Sequence, residues 1–212
     1  MTDKKVRPTP LEKVTRLVDF DKSFGVTRLC GVDEAGRGPF AGPVSVCACV
    51  MPLGIPIIGI DDSKKLSEKL REELFDKIIS IADYCVVLID RQTIDEINIL
   101  QATKLGMKRA IEGLKTPPDL AVVDAVKGLD VAVKCEPIVK ADAKSYSVAA
   151  ASIIAKVTRD RIMRSLDSEY PQYGFAKNKG YGTAAHIEAI KRFGACPEHR
   201  VTYIKNFVVG EN

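Results

Sequence analysis

The chain has no apolar run long enough to cross a membrane, no Cys-x-x-Cys pair, no internal repeat and no low-complexity tract. The first absence excludes a spanning helix, and the second excludes the usual zinc and dithiol redox motifs. Without repeats or flexible tracts there is no sign of an array or of a linker-divided chain. The opening Met1-Thr2-Asp3-Lys4-Lys5 leads into polar sequence rather than the apolar core of a secretory signal. A cytoplasmic protein with no membrane attachment is expected. Six cysteines are present (Cys30, Cys47, Cys49, Cys85, Cys135 and Cys196), several of them in apolar, strand-like runs. There a reduced thiol acts as a small hydrophobe.

At 212 residues, with 46% hydrophobic and 28% charged side chains, the chain fits one globular domain. Its net charge of +4 is unevenly spread. Residues 140–205 carry twelve Lys or Arg against six Asp or Glu, so the rest of the chain is slightly acidic. A basic half beside acidic motifs suits a polyanionic partner.

Residues 1–24 read as an N-terminal extension, partly helical from Leu11 to Phe20, and residues 25–212 as the main domain. Strands are expected at 27–32, 43–50, 84–89, 120–123 and 136–139. Helices are expected from the N-cap Ser67 to Ile81, with Leu70, Leu74, Ile78 and Ile81 as the apolar stripe, and at 93–114, 147–166 and 183–193. Gly174–Gly182 reads as a basic loop. Strands alternating with helices after an opening antiparallel pair predict an α/β fold, a mixed five-stranded sheet flanked by helices.

Three strands lead into acids: Asp33-Glu34, Asp124 and Asp142. Strand ends on one edge of an α/β sheet are where ligands gather. Carboxylates brought together there repel unless a cation lies between them. Oxygen ligands with no His or Cys nearby favour Mg²⁺ or Mn²⁺ over zinc. The acid pair Asp33-Glu34 runs into the turn Gly36-Arg37-Gly38, whose glycines let backbone N–H groups approach a phosphate. Divalent metal beside phosphate is the equipment of phosphodiester chemistry.

Five ordered motifs carry a resemblance: Gly31–Pro39 (GVDEAGRGP), Asp62–Leu66 (DSKKL), Lys140–Ser145 (KADAKS), Ala150–Asp160 (AASIIAKVTRD) and Tyr170–Tyr181 (YPQYGFAKNKGY). Together they resemble the type 2 ribonuclease H family, in its bacterial ribonuclease HII form. Gly-Arg-Gly at 36–38 favours that form over ribonuclease HIII, which usually has Gly-Lys-Gly there. The resemblance implies a ribonuclease H-like fold. It also implies endonucleolytic cleavage of RNA paired with DNA, and incision at single ribonucleotides in DNA duplexes, with 5′-phosphate and 3′-hydroxyl ends. Asp33, Glu34, Asp124 and Asp142 match the family's catalytic, metal-binding acids, serving two divalent ions (Mg²⁺ or Mn²⁺). Asp33 would bridge both, and Glu34 would contribute through its side chain or backbone carbonyl.

Gly36, Arg37 and Gly38 match the turn that senses the ribose 2′-OH, and Tyr181 matches a tyrosine that packs on the following sugar. Ser63 and Lys64 are expected at backbone phosphate, although Ser63 also suits a helix start. Lys156 and Arg159 could pair with Asp160 or line the nucleic-acid groove, and both are expected in the groove. His186 and His199 are expected to be structural. Expected partners are the RNA–DNA hybrid and ribonucleotide-containing duplex DNA, with no obligate protein partner and a monomeric state. Two departures from the family pattern stand out: Ala141 where glycine is usual, and Asn178 where histidine is usual. A non-catalytic hybrid-binding module would not need all four acids. A phosphotransferase would need a glycine-rich nucleotide loop that the chain lacks.

Overall fold

The structure is a computed structural model and describes residues 8–208; the ends of the expected extension and of the main domain lie outside the described residues. Helix α1 (Pro10–Lys22) starts at a capping box, in which Thr9 and Glu12 satisfy each other's backbone N–H groups. Strands β1 (Leu29–Ala35) and β2 (Val44–Val50) form an antiparallel pair, and α2 (Glu68–Ile79) follows from its N-cap Ser67. Then come β3 (Asp83–Ile89), α3 (Arg91–Glu112), β4 (Leu120–Asp124), β5 (Cys135–Ile138) and the long helix α4 (Tyr146–Glu169). Short α5 (Phe175–Asn178), α6 (Ala184–Phe193) and α7 (Val201–Ile204) complete the chain.

The five strands form one mixed sheet in the order β3-β2-β1-β4-β5. β1 pairs antiparallel with β2 and parallel with β4, which pairs parallel with β5. Side chains alternate between faces along each strand, so β2 divides its contacts. Cys47 and Cys49 pack with α1, α2 and α4, whereas Val46 and Ala48 pack with Met107 and Ala110 of α3. α1 belongs to this core: Val14, Leu17 and Val18 are buried in it, and buried Asp21 accepts a 2.8 Å hydrogen bond from the Ser147 N–H in the first turn of α4.

Several expectations need correction. β1 continues to Ala35 because its pairing with β2 runs on to Ser45, so Asp33 and Glu34 lie inside the strand rather than after it. β5 ends at Ile138, and Asp142 lies beyond it in a single 3₁₀ turn, Ala141–Ala143. That turn is entered through Lys140 in the left-handed region. α2 stops at Ile79, leaving Ile81 exposed. α3 is broken at Asn98 (φ 64°), whose side-chain oxygen caps the restarted helix by accepting from the N–H groups of Leu100 and Gln101. The loop 174–182 contains the one-turn α5.

Candidate active site

Two parallel strands deliver the first acids. The β1–β4 register pairs Val32 with Val123, which puts Asp33 and Asp124 at the next position on neighbouring strands. Asp33 shares a strand face with Gly31, where α4 packs. The Asp124 carboxylate accepts a 2.8 Å bond from the Ala141 N–H, tying the end of β4 to the turn that carries Asp142. Ala141 is itself buried beside Leu29, Leu120 and Val148, so its methyl is accommodated.

The electrostatics show how closely these groups crowd. Burial pushes the Asp33 carboxyl well above the ordinary carboxylate range, and Glu34, Asp124 and Asp142 push it further. Burial also raises Glu34, with Asp124 adding and Arg37 opposing; Arg37 stands 3.5 Å from the Glu34 carboxylate. Asp142 is raised by burial and then by Asp62, against the pull of Lys64, 3.6 Å away. Burial alone would lower Lys64, but Asp33, Asp142, Asp62 and Asp124 together hold its ammonium above its usual value. One Glu34 oxygen, Oε2, is buried without a hydrogen-bond partner.

This donor set suits a hard divalent cation. It is all oxygen, it is over-charged, and it holds an orphaned carboxylate oxygen. The acids are neighbours in charge without yet forming a shell. Among the described residues no three His, Cys, Asp or Glu side chains already close on one point. Asp124 and Asp142 spend part of their capacity on Ala141 and Lys64.

A cavity beside the acids is lined by Glu34, the turn Gly36-Arg37-Gly38, Ser63, Lys64, Lys156, Arg159 and Tyr181. Among the described residues, neither the Arg37 nor the Gly38 N–H donates to a protein acceptor. Tyr181 is 45% exposed, and its ring lies over Gly38. Gly36, at φ 101°, leaves no room for a Cβ against Arg159 and the Pro43 carbonyl. The Ser63 hydroxyl is buried and hydrogen-bonded to Ser152 at 2.7 Å. The helix-start role falls to Ser67 and Asp62.

The ribonuclease HII family matches residues 30–206. The chain is 55% identical to a ribonuclease HII of Acetivibrio thermocellus over 186 residues, 87% of this chain and 73% of that protein. It is 52% identical to one of Caldicellulosiruptor bescii, covering 87% of this chain and 90% of the relative.

The chain belongs to the ribonuclease HII family.

It is a metal-dependent endoribonuclease of the ribonuclease H type. Its fold agrees: the crystal structure of ribonuclease H2 from Pyrococcus horikoshii OT3 superposes with a TM-score of 0.73 at 32% identity, over 85% of this chain and 97% of that one. No helix among the described residues is long and apolar enough to cross a membrane.

Against this ribonuclease HII background, Arg159 needs correction. It is 1% exposed, and its guanidinium donates to the backbone carbonyls of Pro43, Lys179 and Ala41 at 2.9–3.0 Å. Among the described residues it pairs with no carboxylate, and it lines the cavity as a buried support of the surrounding backbone. Asp160 is partnered by Lys156 at 2.7 Å instead. Asn178 is also a local brace, with its amide donating to the Tyr173 carbonyl and accepting from the Gly180 N–H.

Sequence reasoning missed Asp62 beside Asp142 and missed Arg200 altogether. The Asp62–Lys65 motif was a signal for the first. Arg200 contacts backbone far away in sequence and carried no local signal.

Proposed function

We propose that this ribonuclease HII cleaves the RNA strand of RNA–DNA hybrids and incises duplex DNA on the 5′ side of a single embedded ribonucleotide. The observation that carries this reading is the pair of unpartnered N–H groups at Arg37 and Gly38, set between the acid cluster and the exposed ring of Tyr181. Two N–H donors without acceptors suit a 2′-hydroxyl and the adjoining phosphate. The flat, apolar ring beyond them suits a deoxyribose with no 2′-oxygen.

Asp33, Glu34, Asp124 and Asp142 would hold two divalent ions, Mg²⁺ or Mn²⁺. Such ions supply an activated water and charge relief at the leaving oxygen. The chain's own groups do the rest. Arg37 and Lys64 face the substrate's phosphates across the cavity mouth, and Lys156 adds positive charge to its wall. The turn orients the ribose, and Tyr181 seats the sugar that follows. The products then carry 5′-phosphate and 3′-hydroxyl ends, with the ribonucleotide leading the downstream strand.

The test is a DNA duplex with one ribonucleotide, incubated with protein and Mg²⁺ or Mn²⁺ and mapped at nucleotide resolution. A single cut on the 5′ side of the ribonucleotide is expected. Cleavage of the all-DNA duplex, or no cut at the ribonucleotide, would overturn the reading.

A further inference from the structure

His199 and Arg200 are adjacent in sequence, almost wholly buried and absent from the chemistry described above. Each reaches a different half of the recognition surface. Arg200 is fully buried and forms no ion pair with a carboxylate among the described residues. Its guanidinium donates to the carbonyls of Gly36 at 2.7 Å, Arg37 at 3.0 Å and Gly42 at 2.8 and 3.0 Å. The Tyr203 hydroxyl adds a second donor to the Arg37 carbonyl at 3.0 Å. In a planar trans peptide the C=O and the next N–H point in opposite directions. Turning the Gly36 and Arg37 carbonyls down onto Arg200 therefore turns the N–H groups of Arg37 and Gly38 the other way. Those are the two donors left without protein partners.

His199 leads to the other half. Its Nδ1 accepts from the Cys196 N–H at 2.9 Å, which places its proton on Nε2. That Nε2 lies 3.0 Å from His186 Nε2, so His186 accepts there and carries its own proton on Nδ1. His186 Nδ1 in turn lies 2.9 Å from the Tyr181 carbonyl. One arrangement of protons satisfies the three shortest links together (Cys196 N–H to His199 Nδ1, His199 Nε2 to His186 Nε2, and His186 Nδ1 to the Tyr181 carbonyl), and in it both rings are neutral. The Cys196 Sγ then shares Nδ1 at 3.1 Å, and the 3.4 Å approach of Nδ1 to the Cys196 carbonyl is left unused. Burial favours neutral rings, holding His199 down to about 4 and His186 below its ordinary value. The backbone joins the two lines: the Arg200 N–H donates to Phe40 at 2.7 Å, and the Phe40 N–H donates to the Gly180 carbonyl at 2.8 Å.

We propose that His199 and Arg200 are the positioning residues of junction recognition, Arg200 aiming the ribose-reading turn and His199, through His186, holding Tyr181 at a set distance from it. This inference rests on the junction reading above. It assigns the two lines different consequences. The turn meets a 2′-hydroxyl in any substrate, whereas the Tyr181 line acts on the sugar after the ribonucleotide.

The experiment compares kcat/KM for wild type, His199→Ala, His199→Gln and Arg200→Lys on a single-ribonucleotide duplex and on a long RNA–DNA hybrid, with thermal melts of each protein. ¹⁵N spectra of the wild-type imidazoles accompany them. His199→Ala is expected to slow the junction substrate at least about tenfold more than the hybrid. His199→Gln, whose amide N–H can replace Nε2–H, is expected to restore most of that ratio. Arg200→Lys, which lacks the fork, is expected to slow both substrates alike. The spectra are expected to show His199 protonated at Nε2 and His186 at Nδ1. This readout needs no variant to fold.

Equal slowing of both substrates by His199→Ala, or the opposite tautomers in the spectra, overturns the inference while leaving the junction reading intact. A wild-type protein that fails to incise at a single ribonucleotide removes the junction reading and this inference with it.

Discussion

Gly31 of β1 lies directly against Ser147 of α4, so closely that a Cβ there would overlap the Ser147 carbonyl carbon and the Val148 nitrogen. Both neighbours are backbone and cannot swing aside. Gly31→Ala must therefore push α4 off the strand that carries Asp33 and Glu34. A loss of about 3 kcal/mol is expected from such overpacking, or roughly 10 °C in melting temperature for a domain of this size. Thermal unfolding checks this, and an unchanged midpoint would show that helix and strand can separate cheaply.

Asp142→Asn should fold, lose nearly all cleavage, and melt higher than wild type in EDTA. Burial and Asp62 already disfavour the charged form of Asp142, so an amide relieves repulsion while removing a proposed metal ligand. Near-wild-type cleavage by the folded variant would remove Asp142 from the metal set.

Arg37→Ala should flatten the salt dependence of substrate binding. The guanidinium is part-exposed at the cavity mouth, near Glu34. Loss of one phosphate contact lowers the slope of log affinity against log salt by about 0.9 on duplex DNA. An unchanged slope would leave Arg37 paired only with Glu34.

Tyr181→Ala should slow incision at a single ribonucleotide more than cleavage of a long hybrid, because only the first presents a deoxyribose directly after the ribonucleotide at the cut. Parallel measurement on the two substrates checks it. Equal slowing would make Tyr181 a general packing residue.

The pH dependence of stability follows from His199, which burial, and then His186, hold down to about 4 from 6.5. The unfolded chain takes up a proton in this window that the folded protein refuses. Stability from this group is thus complete above about 6.5 and falls as pH drops toward about 4, by at most about 1.4 kcal/mol per pH unit. Asp33, raised in the folded state, acts in the opposite sense, so the test is the difference between wild type and His199→Gln in urea midpoint from pH 7 to pH 5. Wild type should lose more; equal losses would show that His199 does not titrate there.

The sequence by itself determined the element order and the sheet of five strands, because those depend on local periodicity, caps and short motifs, and its motifs singled out four acids without showing that they converge. Ser67 before α2 is a cap legible in the chain, and it accepts the expected backbone hydrogen bond from the Leu70 N–H. Local signals also led to errors of about one turn. The antiparallel ladder with β2 drew β1 past Asp33, and the left-handed Lys140 set Asp142 in a turn of its own.

Only the tertiary structure decided what the buried cations and imidazoles do. Arg159 and Arg200 turn five carbonyls of residues 36–43 onto two guanidiniums that arrive from more than a hundred residues away. A bond to a backbone carbonyl places no demand on the identity of the accepting residue, so nothing in the turn's own sequence announces its donor. The same holds for His199, whose line to Tyr181 exists only because α6 and the segment after it fold back over the turn.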